Sequence, residues 1–326
     1  MKRAGLGLLA FVALVAAAAP WLAPNAPDRT FADRLYAPPT PVHLFGGGRG
    51  LQAPFVYRQQ LVNRLERRFE ADAGQPAALA WFTGGRLATL GEEDGGPLLL
   101  LGADGFGRDI FSRLLYGART SLALALVSTL AALLLGAVLG GVAGLVGGVV
   151  DEAVSRTTEF VLVLPAIDVA LALRAALPLV LPPAATFALL AAIFTLLGWP
   201  VVARGVRALV SAECEREYIA AARALGATRW RLLTRHLLPA AAGHLAVQAT
   251  LLLPAFILAE ATLSYVGLGF PDAVPTWGTL LQEAANVSLV ADTPWMLAPA
   301  LAIFIVVLAV NLTVQGSGRT PVQLER

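Results

Sequence analysis

The side chains that could carry chemistry are few. In 326 residues the only histidines are His43, His236 and His244, the only cysteine is Cys214 and the only lysine is Lys2. The sequence has no H-E-x-x-H, no G-x-S-x-G and no lysine base, which leaves little for nucleophilic or zinc chemistry. A G-x-x-x-x-G-K-[S/T] phosphate loop is excluded as well, so any nucleotide that drives this protein is hydrolysed by another chain. No cofactor is expected, and Cys214 has no partner for an intrachain disulfide. His236 and His244 stand on either side of Pro239 and read as packing or hairpin hydrogen-bonding groups.

What the chain concentrates instead is binding chemistry, in Glu217 to Pro239, EYIAAARALGATRWRLLTRHLLP. Glu217 to Leu225 consists of strong helix formers, Gly226 can take the left-handed conformation that closes a helix, and Thr228 can cap a second helix running to Leu238. Two short helices joined by a tight turn follow. Ala221, Ala222, Leu225, Ala227 and Trp230 make a small-residue and apolar tip able to enter a partner's groove, while Arg223 and the neighbouring arginines engage acidic rims or lipid phosphates. The same pattern suits an amphipathic linker on anionic headgroups, drawn there by about 1 kcal/mol per arginine. It also resembles a helix-turn-helix DNA reader, but the apolar runs immediately on both sides argue against nucleic acid.

Those runs must position the hairpin. Hydrophobic residues make up 57% of the chain and charged residues 14%, and the charges are bunched. Stretches free of Asp, Glu, Lys and Arg cover 4–27, 120–150, 175–203, 236–259 and 293–318, and roughly 20 apolar residues cross a bilayer. A sixth span is expected over 154–173, interrupted by Glu159 and Asp168. Apolar runs in lipid must satisfy their backbone internally, so the fold class is an all-helical membrane protein with six transmembrane helices. Lys2 and Arg3, and the seven arginines from Arg204 to Arg235, place both flanking segments in the cytoplasm. The segment 28–101 then lies outside and the carboxyl terminus inside.

Several residues within the spans stand out. Gly136, Gly140, Gly144 and Gly148 recur every fourth residue, with Gly141 and Gly147 beside them, and predict close helix contact. Pro165, Pro178, Pro182, Pro183, Pro200 and Pro254 should kink or end spans. Asp168, deep in the third expected span, either faces a translocation pathway or a helix partner, or lies near the outer interface eased by Arg174. Glu260 is expected at an interface.

The domain plan is an anchor at 1–27, which also suits a cleavable signal peptide. An extracytoplasmic insertion at 28–101, a five-helix core at 102–318 with its cytoplasmic loop at 204–239, and a tail at 319–326 follow. The insertion, rich in turns and with Phe55 to Phe69 as a candidate amphipathic helix, reads as a small domain of short elements or as a linker.

The hairpin closely resembles the cytoplasmic EAA loop of permease subunits of binding-protein-dependent ABC importers. Ala221, Ala222, Gly226, Leu238 and Pro239 fall on that pattern, with Ala220 where the family has Glu and His236 where it commonly has Ile. The likeness extends through 102–122, GADGFGRDIFSRLLYGARTSL, to Gly147-Gly148 with Val150-Asp151-Glu152. It continues at Gly198-Trp199-Pro200, at Glu260 to Gly269 and at 275–278, PTWG, and is closest to the second permease of dipeptide and oligopeptide importers.

The resemblance implies a type I importer permease in the bacterial inner membrane, with both termini cytoplasmic. It would pair with a second permease as a heterodimer, take solute from an extracytoplasmic binding protein and be driven by two cytoplasmic ATPase subunits. The ATPase-coupling positions it implies are Tyr218, Ala220, Ala221, Ala222, Arg223, Leu225, Gly226, Ala227, Trp230, Arg231 and Pro239. Peptides are the expected solute. Nickel or an oligosaccharide on the same architecture, and a single-chain secondary transporter, are the alternatives; the latter would favour internal repeats and intramembrane relays that the sequence lacks.

Overall fold

The computed structural model describes residues 2–45, 51–63, 67–90, 96–178 and 181–315. The chain divides into two compact units, one built from 122–263 with the two chain ends, the other from 3–121 and 264–309. The expected tail at 319–326, the Gly46 to Gly48 run and most of the Arg64 to Arg68 patch lie outside the described residues.

Among the described residues, four helices are long and apolar enough to cross a membrane: α3 (Ile110–Val146), α6 (Pro183–Cys214), α10 (Ala242–Tyr265) and the segment Pro294–Thr313, most of it α13 (Ala298–Gln315). The first expected span forms a shorter apolar helix, α1 (Lys2–Ala17), followed after Ala18 by the one-turn α2 (Ala19–Leu22) with Pro20 in its first turn. The expected span at 154–173 is not one helix. α4 (Gly148–Val163) ends at an extended Leu164, and Pro165 opens α5 (Ala166–Ala175). Proline has no N–H for the preceding turn and pushes the residue before it out of the helical region, which accounts for the break.

In the unit built around 122–263, the glycine ladder is a packing device. A Cβ on Gly136 would meet Val202 at 2.5 Å and the Trp199 carbonyl at 2.8 Å, and one on Gly144 would meet the Arg207 carbonyl at 2.7 Å. Gly140 rests on the backbone of Ala203, and Gly141 faces Leu233 and Leu238. Every fourth residue of α3 thus lets α6 approach to backbone contact. The ladder stops at Gly144: Gly147 and Gly148 have nothing near them and serve instead the positive φ of the turn into α4 (+69° and +59°). On the next helix pair, Phe194 of α6 stacks on Phe256 of α10 with ring centres 5.4 Å apart.

In the unit built around 3–121, the described residues of the insertion include a four-stranded antiparallel sheet in the order β1 (Val42–Phe45), β2 (Leu51–Asn63), β3 (Arg68–Trp81), β4 (Ala88–Leu90). In place of the helix expected over Phe55 to Phe69, residues 55–63 are strand and 68–69 begin its partner. Phe55, Tyr57 and His43 form an aromatic cluster with ring centres 5.0–5.6 Å apart, the cross-strand packing that favours a strand. The register shifts after the Tyr57–Pro76 pair, where Pro76 offers no ladder hydrogen. Val56, Ala77 and Leu98 make the small core beneath the sheet.

The all-helical expectation holds for the spanning core, and the described part of the insertion is built mainly of strands, contrary to its candidate helix. A capping box between Thr276 and Thr279 starts α11 (Trp277–Glu283), and α12 (Val287–Asp292) precedes the last long helix.

Candidate functional site

α6 leads straight into the predicted hairpin, in the unit built around 122–263. α7 (Glu217–Ala224) ends at Leu225, and Gly226 takes φ +83°. The Gly226 amide donates to the Arg223 carbonyl at 2.9 Å and the Ala227 amide to the Ala222 carbonyl at 3.0 Å. That double closure requires a left-handed residue at Gly226 and satisfies the last carbonyls of the helix. Thr228 then caps α8 (Arg229–Leu232), its hydroxyl accepting from the Arg231 amide at 3.3 Å.

The second arm departs from a plain helix. Leu233–Leu237 winds as a π-helix before the short α9 (Leu238–Ala240). Pro239 cannot donate to the Arg235 carbonyl, and the wider winding precedes it.

The hairpin has one apolar side turned inward and another turned out. Ile219, Leu232, Leu233 and Leu237 are buried and hold it to its unit. Leu225 is 89% exposed and Trp230 71% exposed, with Tyr218, Ala220, Ala221, Arg223, Gly226, Arg231 and Pro239 also exposed and Ala222 and Ala227 half-buried. The structure thus brings the sequence-predicted coupling positions together on one small projection. The Tyr218 hydroxyl donates to Glu213 Oε1 at 2.6 Å, which pushes the phenol's pKa up. The Tyr218 and His236 rings lie 6.2 Å apart, the packing role expected of His236. His244 packs against Gly205.

Upstream of the hairpin, Arg207 on α6 grips the Asp151 carboxylate of α4 through Nε and Nη2, the latter at 2.6 Å, and holds its pKa below the usual carboxylate range. Nothing in the sequence flagged this pair, because its members are 56 positions apart.

Asp168 is not on the hairpin. It sits exposed in the first turn of α5, three residues after Pro165, a position where a carboxylate also suits the helix dipole. Glu260, expected at a membrane interface, lies near the end of α10, is fully buried and has a bonding or charge partner.

The other unit carries a buried charge cluster that the sequence reading missed. Arg108 pairs with Asp104 at 2.7 Å, Asp272 at 2.8 Å and Glu283 at 2.7 Å. Burial, reinforced by the nearby Asp104, pushes the Glu283 carboxyl up from 4.5 to about 7 despite Arg108. Burial also raises Asp109 from 3.8 to about 6, against donation from Ser112 and Asn25. Asp104, Arg108 and Asp109 were legible as part of the GADGFGRD segment; Asp272 and Glu283, the distant partners of Arg108, carry no local signal.

Residues 136–319 match the family described as the binding-protein-dependent transport system inner membrane component, and 3–39 match the N-terminal transmembrane domain of oligopeptide transport permease C. The chain is 37% identical to a dipeptide transport system permease protein of Alkalihalophilus pseudofirmus over 66% of this chain and 68% of the relative. A glutathione transport system permease protein of Pectobacterium atrosepticum is 36% identical over 66% and 69% of the two chains. A peptide transport system permease protein of Brucella suis is 31% identical over 96% of this chain and 84% of that one.

Proposed function

The chain belongs to the family of binding-protein-dependent transport system inner membrane components, and on that premise we propose that it forms half of the translocation pathway of an ATP-driven peptide importer. It is a multi-pass permease subunit, a transport component and not an enzyme in its own right. The names of its relatives cover dipeptide, peptide and glutathione systems, all of them peptides, which favours that class over nickel or an oligosaccharide.

The observation that carries the coupling role is the exposed Leu225 and Trp230 on a hairpin whose base is buried. An ATPase can bias the pore only by contacting its two states unequally. A hairpin whose base is packed into its unit and whose tip is apolar and exposed is suited to transmit that bias. Burying each of the two side chains in a partner's groove contributes about 1.5–3 kcal/mol, and Arg223, Arg229 and Arg231 add a salt-sensitive component.

In this reading two cytoplasmic ATPase subunits dock on this hairpin and on its counterpart in a second permease. A binding protein delivers solute from outside, and both chain ends are cytoplasmic. Asp168 is the acidic candidate for the pathway lining. Ala220, where the family pattern has Glu, leaves the hairpin without that carboxylate but in the same register.

Two measurements test the reading. A nucleotide-hydrolysing subunit should co-purify with the chain. Leu225→Cys, in a Cys214→Ser background, should react with an impermeant thiol reagent only from the cytoplasmic side. Labelling from outside, or solute uptake by the chain alone without a nucleotide-hydrolysing companion, would refute it.

A further inference from the structure

Two adjoining hollows in the unit built around 3–121 have no part in the coupling role. One is an apolar groove of about 410 Å³ whose walls include Leu22 at the end of α2, Phe111 in the first turn of α3, and Leu79, Trp81, Leu87 and Leu98. The other, of about 650 Å³, has Arg29, Arg34 and Arg86 in its walls against Asp33 among the described residues. Pro24 and Leu98 belong to both.

The guanidinium groups are held in place. Arg86 Nη1 donates to the Pro24 carbonyl at 2.6 Å, Arg34 is only 8% exposed, bonds to the Gln59 carbonyl and pairs through Nε with Asp33 at 3.3 Å, and Arg29 lies over the Phe31 ring at 5.0 Å.

The groove also lies where apolar helices end. Leu22 closes the first apolar segment and Phe111 opens the spanning helix α3. The Leu87 amide donates to the Trp21 carbonyl at 2.6 Å and so ties the sheet to that level. Trp21, Trp81 and Phe82 are exposed there, and aromatic residues of this kind gather at the bilayer interface. An apolar slot beside a fixed cluster of arginines, at the depth where hydrocarbon gives way to headgroups, has the chemical sequence of a phospholipid.

We propose that these hollows form a phospholipid site, with an acyl chain in the groove and the headgroup phosphate on Arg29, Arg34 and Arg86. The bound lipid seats the insertion against the membrane surface. The site does not depend on which leaflet adjoins the insertion, nor on the coupling role of the hairpin.

The test uses the full chain, delipidated in detergent and titrated separately with phosphatidylglycerol, dioleoylglycerol and glycerol phosphate, with bound species read by native mass spectrometry. Phosphatidylglycerol should be held selectively as a single tightly bound molecule. The double substitution Arg29→Gln with Arg86→Gln should weaken it about tenfold, and Ala88→Trp, which places an indole in the groove wall, should weaken it with the arginines untouched. Equal retention of dioleoylglycerol would remove the phosphate role, and equal binding of glycerol phosphate would remove the acyl role. Unchanged retention in both variants would overturn the site.

Discussion

Arg207 and Asp151 meet side-on, Nε and Nη2 of the guanidinium each donating to a separate oxygen of the carboxylate. The pair fastens α4 to α6 within the last turns before α6 gives way to the coupling hairpin. Both side chains are partly exposed, at 38% and 24%, so the ion pair is worth about 0.5–1 kcal/mol in stability. Its larger consequence is positional.

Asp151→Asn and Arg207→Gln should therefore each lower the unfolding midpoint only slightly while reducing the ATPase stimulation of the assembled complex. The exchange Asp151→Arg with Arg207→Asp should recover part of that loss. Because the Asp151 carboxyl is held below its ordinary range, its stabilising contribution is complete at neutral pH and fades only as pH falls through the folded-state pKa.

Gly140→Leu should drive a side chain into the Ala203 backbone and cost about 1–3 kcal/mol or more in folding stability. Gly243→Ala meets nothing within 4 Å and has no left-handed φ to strain, so it should change stability by less than about 1 kcal/mol. A thermal scan of both purified variants checks the ranking; equal losses would count against the ladder as a packing device.

Arg108→Met removes the cation shared by Asp104, Asp272 and Glu283 and should destabilise the chain by about 3–5 kcal/mol. With the arginine in place, the raised Glu283 and Asp109 carboxyls bind protons more tightly folded than unfolded. Their contribution is therefore complete at acid pH and is lost as pH rises, through about 6 for Asp109 and about 7 for Glu283. The unfolding midpoint should fall across that window, and Glu283→Gln should flatten its upper part.

How much of this was legible depended on whether the signal was local. The hairpin was, because Gly226, Thr228 and Pro239 each impose a backbone event on their own neighbours. The glycine ladder was legible as an interface, though not where it stops, since Gly147 and Gly148 keep the spacing but do a turn's work. The break at Leu164–Pro165 falls at a proline expected to kink or end a span, although the apolar residues on both sides read as one continuous crossing. The segment Phe55 to Phe69 misled because its apolar residues fit a helical face about as well as a strand. What decides it is pairing with 68–81, which is a tertiary event. Arg108 stood in a recognisable segment, while Asp272 and Glu283 meet it from 164 and 175 positions away.

The coupling role of the hairpin is tested most directly by the ATPase activity of the complete complex with and without its loaded binding protein, compared between the unmodified chain and Leu225→Glu. Position 225 is 89% exposed, so the substitution should leave folding and assembly of the permease intact. Solute-dependent stimulation of hydrolysis should disappear. Stimulation at the unmodified level, in a complex containing the variant, would contradict the account.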